Sequence, residues 1–162
     1  MAHYDPYNYV PQNSLGYLLR VNHSLMQDCA ERILAPHGMS FVQWVSLLKL
    51  NSGMVKTASD LCRNINHDNG ALTRVLDQLE KRGFILRERS NQDRRVVNLQ
   101  LTEAGRLTVE ALTPLVINSL NAALEPFSAD EFAEFNRLLE KLHTRLKDYS
   151  AEQQSDSSRE VQ

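Results

Sequence analysis

In the stretch SNQDRRVVNLQLT, residues 90–102, a carboxylate stands directly against two guanidinium groups, Asp93 beside Arg94 and Arg95. A carboxylate can pair with one arginine and preorganise a loop, leaving the other arginine for an anion outside the chain. As a bare surface turn the same pair would be worth about 0–1 kcal/mol. The surroundings favour the first reading. Lys81, Arg82, Arg87, Arg89, Arg94 and Arg95 stand against only Glu88 and Asp93, a balance of +4 over residues 81–95. From residue 96 onward six basic residues face eleven acidic ones, and the whole chain carries −2. A basic island on an otherwise acidic protein is the charge distribution of a nucleic-acid-contacting surface.

Other chemistries find no support in the residue pattern. The two cysteines, Cys29 and Cys62, lack CxxC spacing, and the five histidines are scattered singly without an HExxH. A structural zinc site, a disulfide framework and a bound metal are therefore not expected. There is no Walker loop, no GxGxxG after a strand and no GxSxG elbow, so neither an enzyme nor a cofactor is expected. No run of 18 apolar residues is present, which argues against a membrane span. The polar, Tyr/Pro-rich start MAHYDPYNYVPQNS lacks the order of a signal peptide, and a cytoplasmic location is expected.

The basic island needs elements to position it, and helical spacing dominates the chain. Leu15, Leu18, Leu19, Leu25, Met26, Cys29 and Ile33 mark a first helix over residues 14–35, ended by Pro36 and Gly38. Ser40 with Gln43 opens a second helix that runs to Asn51, and Thr57 with Asp60 opens a short third. Asn66 and His67 make a turn, and Asp68 caps a fourth helix whose stripe is Leu72, Val75, Leu76 and Leu79. Two short helices across a tight turn are a helix-turn-helix. The hairpin of residues 84–101 follows at once and completes a winged helix.

Beyond it, a long helix opens at Thr102 with a kink expected near Leu112 or Thr113, ahead of Pro114, and a last one opens at Ser128 with Glu131. Its stripe of Phe132, Phe135, Leu139, Leu142 and Leu146 needs a partner. The fold class is thus mainly α with a small β-hairpin wing. Residues 1–13 read as a flexible arm, and 14–53 with 102–148 as a helical dimerisation region. Residues 54–101 read as the winged helix-turn-helix, and 149–162 as a disordered tail. Helix-turn-helix proteins commonly read two half-sites about 34 Å apart, so a two-fold homodimer is the economical arrangement.

The segments LAPHGMSFVQW, LCRNINHDNGALTRVLDQLEKRGFI and DRRVVNLQLTEAG, in that order, resemble the MarR family of bacterial transcription regulators. The resemblance covers roughly residues 15–147. It implies a triangular homodimer with paired winged helices, in most members a repressor of nearby genes. It also implies that Arg94 enters the minor groove of a double-stranded DNA operator while Asp93 and Arg95 orient the wing. A narrow A·T-rich minor groove attracts guanidinium, which agrees. At the start of the recognition helix Asn69, Gly70, Ala71, Thr73 and Arg74 are placed to meet bases or phosphates, with Arg74 suited to guanine or phosphate. Gly70, His67 and Asn66 depart from the residues usual in relatives, which bears on sequence preference more than on fold.

Many members release DNA on binding small aromatic acids in a cleft between the dimer helices and the winged helix. The resemblance assigns such a site to Tyr17, Arg20 and His23 of the first helix, with His37, Met39 and Trp44 from the following loop and second helix. An arginine and aromatic walls would suit a benzoate-like carboxylate. Two rival readings are a redox-responsive regulator using Cys29 or Cys62, and a winged-helix adaptor that does not bind DNA.

Overall fold

The structure is a computed structural model that describes residues 2–65, 69–89 and 95–159. The chain forms two compact units, Met1–Asn121 and Ala122–Gln162. In the first, α1 spans Leu15–Leu34, α2 Phe41–Asn51, α3 Ala58–Ile65 and α4 Asn69–Lys81. An antiparallel hairpin follows, β1 (Ile85–Arg89) and β2 (Val97–Leu101), and α5 runs over Glu103–Leu124. The second unit is built on α6, Ala129–Arg159.

Helix starts are set by side-chain oxygens that take up amide groups the helix itself leaves unpaired. The Ser14 hydroxyl accepts from the Tyr17 amide at 3.2 Å. Ser40 and Gln43 form the expected reciprocal box, as do Ser128 and Glu131. The Thr57 hydroxyl accepts from the Asp60 amide at 3.0 Å and opens α3. Asp68, the expected cap of α4, lies outside the described residues, as does the turn at Asn66 and His67. At the other end of α4 the chain reverses through Gly83, whose φ of +74° a side chain would strain. Helix α5 passes unbroken through Pro114.

The core joins Leu34 of α1, Leu47 of α2, Leu61 of α3, Leu79 of α4, Ile85 of β1, Leu99 of β2 and Val116 of α5, all buried. Each such side chain contributes about 1.5–3 kcal/mol relative to remaining exposed. Helix α2 packs on α1, α3, α4 and β2 within this core. In the hairpin Ile85 pairs with Leu101 and Arg87 with Leu99. Ile85 is buried and Leu86 is exposed, so the Ile85/Arg87 face is the inner one.

Both ends of the chain make contacts of their own. Within residues 1–13, Tyr4 and Tyr9 make an edge-on ring contact, and the Tyr4 hydroxyl accepts from the Leu15 amide at 2.8 Å. At the other end, the chain expected to be disordered from residue 149 is helical to Arg159. It lacks apolar periodicity, but polar pairs along the helix surface support it: Arg145 with Glu152, and the Gln153 amide donating to the Tyr149 hydroxyl at 2.8 Å. In α1, Leu15, Leu18, Leu19, Leu25 and Met26 are exposed, and in α6 so are Phe132, Phe135, Leu138 and Leu146.

Candidate nucleic-acid interface

Helix α4 separates its residues by periodicity. Leu72, Leu76 and Leu79 are buried and Val75 half-buried, which turns Thr73 and Arg74 outward, with Gly70 exposed and Ala71 half-buried. Asn69 is the first residue of the helix. The five positions expected to meet DNA thus lie together in the first two turns. Arg95 is exposed at the foot of β2. Asp93 and Arg94 lie outside the described residues.

What holds α4 in place is a set of polar contacts, of which only the Ser40–Gln43 box was foreseen from the sequence. The buried Gln43 uses its side-chain oxygen to accept from the Ser40 amide at 3.0 Å and its nitrogen to donate to Gln78 of α4 at 2.7 Å. Arg82, just past α4, donates to the Gly38 carbonyl and lies over the Phe84 ring at 4.7 Å. Arg87 of β1 reaches back to α4: Nε donates to Oε2 of Glu80 at 2.7 Å, and Nη2 contacts both that oxygen and Oδ1 of Asp77, the latter at 2.7 Å. These bonds, Glu80's first, hold the Arg87 guanidinium pKa above its ordinary value against the opposing effect of partial burial. The signal was present in the DQLE segment, which sets two acids three residues apart beside a helix-ending glycine.

Two of the six cations in the basic island, Arg82 and Arg87, are therefore engaged within the lobe. The +4 balance overstates the charge offered to a partner. Lys81, Arg89 and Arg95 are exposed, and Arg74 adds a further cation on α4.

The root of the hairpin is packed from both sides. The Leu99 amide donates to the Lys56 carbonyl at 2.8 Å, and Thr57 pairs with Asn98, so the segment before α3 extends the sheet. The Thr102 hydroxyl contacts the carbonyls of Gly83 at 2.7 Å and Phe84 at 3.0 Å, and accepts from the Gly105 amide at 3.1 Å. A Cβ at Gly105 would stand 2.2 Å from the Phe84 carbonyl oxygen. The LTxxG segment is thus a packing requirement at the joint of wing and helix.

The residues expected to bind an effector do not form one constellation. Arg20 lies over the Tyr17 ring at 5.5 Å, and both are exposed. His37 borders a shallow groove with Arg82, Phe84 and Leu107. Met39 and Trp44 belong to the core. His23 and Trp44 share a cavity, lining with Phe41, Val116 and Leu120 an apolar space of about 210 Å³. His23 and Phe41 also line a neighbouring cavity of about 270 Å³ whose walls include Val45, Ile65 and Lys49. Lys49 was missed, because nothing in the spacing of α2 distinguishes it from a solvated lysine. Cys29 and Cys62 are each half-buried, on α1 and α3 respectively.

Comparison with known proteins agrees with this architecture. A model of the MarR family matches residues 39–97, which hold α2, α3, α4 and β1. The transcriptional repressor MprA of Escherichia coli (strain K12) is 31% identical over 125 residues, spanning 76% of this chain and 71% of that protein. An organic hydroperoxide resistance transcriptional regulator of Bacillus subtilis (strain 168) is 31% identical over 99 residues, spanning 61% and 67% respectively. The solved structure of a mutant MarR from Escherichia coli complexed with operator DNA matches with a TM-score of 0.72 at 27% identity. That match covers 86% of this chain and 99% of the other. With α3, α4, the hairpin and its root in place, the chain belongs to the MarR family of winged-helix, DNA-binding transcription regulators.

Proposed function

We propose that the protein is a cytoplasmic repressor that binds a pseudo-palindromic operator as a homodimer and releases it on binding a small aromatic carboxylate. The observation that carries the reading is the outward face of α4, where Gly70, Thr73 and Arg74 stand exposed on a helix anchored from behind by Gln43 and Arg87. Asn69 to Arg74 enter the major groove, and Arg94 meets the adjacent minor groove while Asp93 and Arg95 steady the loop. A second copy covers the apolar faces of α1 and α6, which supports the dimer: rows of exposed leucine and phenylalanine of this kind mark interaction surfaces.

For the effector, the paired cavities beside His23 are favoured over the wider set expected from sequence. The Trp44 indole nitrogen is buried and lacks a hydrogen-bond partner among the described residues, so an acceptor on the ligand would satisfy it. Phe41 and Val45 offer apolar walls, and Lys49 offers a cation for the carboxylate. Tyr17, Arg20 and His37 lie off these cavities, and Met39 serves the core.

Fluorescence anisotropy on duplex DNA from upstream of the protein's own coding sequence tests the reading. Tight binding that weakens steeply with salt and is abolished by one aromatic carboxylate is the expected result. Arg74→Ala should cost about 1–3 kcal/mol of operator affinity if it reads a base, and Arg94→Ala should weaken binding without unfolding the protein. Unchanged affinity in both variants would remove the proposed contacts, and binding that no carboxylate disturbs would remove the effector class.

A further inference from the structure

Arg87 stands in the basic island but does not behave as a residue offered to DNA. Its stem lies on the inner face of the hairpin beside Ile85, across from Leu99, and its side chain is only 26% exposed. Its head is taken up by Asp77 and Glu80, which lie three residues apart on one face of α4. The side chain thus joins the hairpin to the helix that carries Thr73 and Arg74.

We propose that Arg87 is a positioning residue for operator binding: shared between Asp77 and Glu80, it fixes the angle at which the wing and α4 are presented together. The inference rests on the operator-binding reading above. Two arguments support it. A major-groove helix and a minor-groove wing must engage at one separation, so any freedom between them is entropy lost on binding. A planar guanidinium with several donors can serve two carboxylates at once in a fixed geometry, which a lysine ammonium on a flexible stem does poorly. The same contact also balances two negative charges on a helix that must approach phosphates.

A direct phosphate contact by Arg87 makes different predictions, and charge alone makes a third set. We would measure affinity by anisotropy, across a salt series, for the wild type, Arg87→Gln, Arg87→Lys and the double variant Asp77→Asn/Glu80→Gln. The probe is the duplex from upstream of the protein's own coding sequence, with a random-sequence duplex beside it. The positioning role predicts that the double variant binds at least about tenfold more weakly although it sheds two negative charges. It also predicts that Arg87→Gln loses affinity with its salt slope unchanged, and that Arg87→Lys recovers part of the loss. A double variant that binds as well as the wild type, or better, overturns the inference. So does an Arg87→Gln variant whose slope falls by about 0.9, the mark of one lost phosphate contact. Circular dichroism and thermal melts check that each variant is folded. Should Arg87→Gln unfold, the double variant, which keeps the arginine and exchanges carboxylates for near-isosteric amides, decides alone. A wild type that binds neither duplex would instead overturn the operator-binding reading itself.

Discussion

The winged-helix lobe and the outer face of α1 differ in how completely a single chain satisfies them. In the lobe, Leu61, Leu79 and Ile85 are fully buried, and the carbonyls that lead into β1 are met by Thr102. On α1, Leu18, Leu19, Leu25 and Met26 stand exposed although their spacing is as regular as that of any core helix. The difference teaches that periodicity marks a face that will be covered without saying by what. The lobe covers its own faces; α1 is left for a second chain under the reading proposed above.

The largest effect should come from breaking that second surface. Leu18→Glu combined with Leu25→Glu should convert the protein from dimer to monomer in sedimentation, with the melting of the lobe little changed. Loss of the lobe together with the dimer would show that the two regions are not separable in this way. A smaller effect, confined to the lobe, is expected at Gly105. Gly105→Ala must displace the Phe84 carbonyl, and should cost about 1–3 kcal/mol in denaturant unfolding, as overpacking does. Gly16 has open space around it, so Gly16→Ala serves as the matched control and should not destabilise. The smallest effect concerns charge. The Asp60 carboxyl is held below the usual carboxylate range, first by the Thr57 hydroxyl and then by Arg63. A depressed pKa in the folded state contributes stability above the unfolded value and loses it as pH falls through the folded one. Because Asp60 is only half-buried and Arg63 is exposed, solvent screens the pair, and acid titration of wild type and Asp60→Asn should diverge only slightly, and only below about pH 4. A large divergence would mean that the lobe depends on charge more than on packing.

Much of the secondary structure was legible in the sequence because its signals are local. Ser40 with Gln43 and Ser128 with Glu131 are boxes readable from residues three apart, and both formed. The stripe of Leu72, Leu76 and Leu79 points inward as its spacing requires. The polar tie of Arg87 to Asp77 and Glu80 was not read, because it joins a strand to a helix and is specified by no periodicity. Instead Arg87 and Arg82 were counted with the outward charge. The expected effector residues are dispersed in the single chain for a related reason. Arg20, His37 and Trp44 share a neighbourhood in sequence, but helix geometry sends them to different places: a surface stack on Tyr17, a groove near Phe84, and the core. The helix at 149–159 was missed because only polar pairs support it.

The joint at Gly105 has a mechanical consequence. With no side chain between them, α5 and the carbonyl that precedes β1 are in direct contact, and the Thr102 hydroxyl bonds both strand-entry carbonyls. A rotation of α5 that preserves this contact carries the hairpin with it. The five residues of β1 make a lever arm of about 17 Å, over which a tilt of about 5° in α5 becomes a displacement of about 1.5 Å at the far end. A glycine chosen for close packing thus also sets a gearing ratio, by which a small rotation of a long helix is delivered, enlarged, to the end of the hairpin.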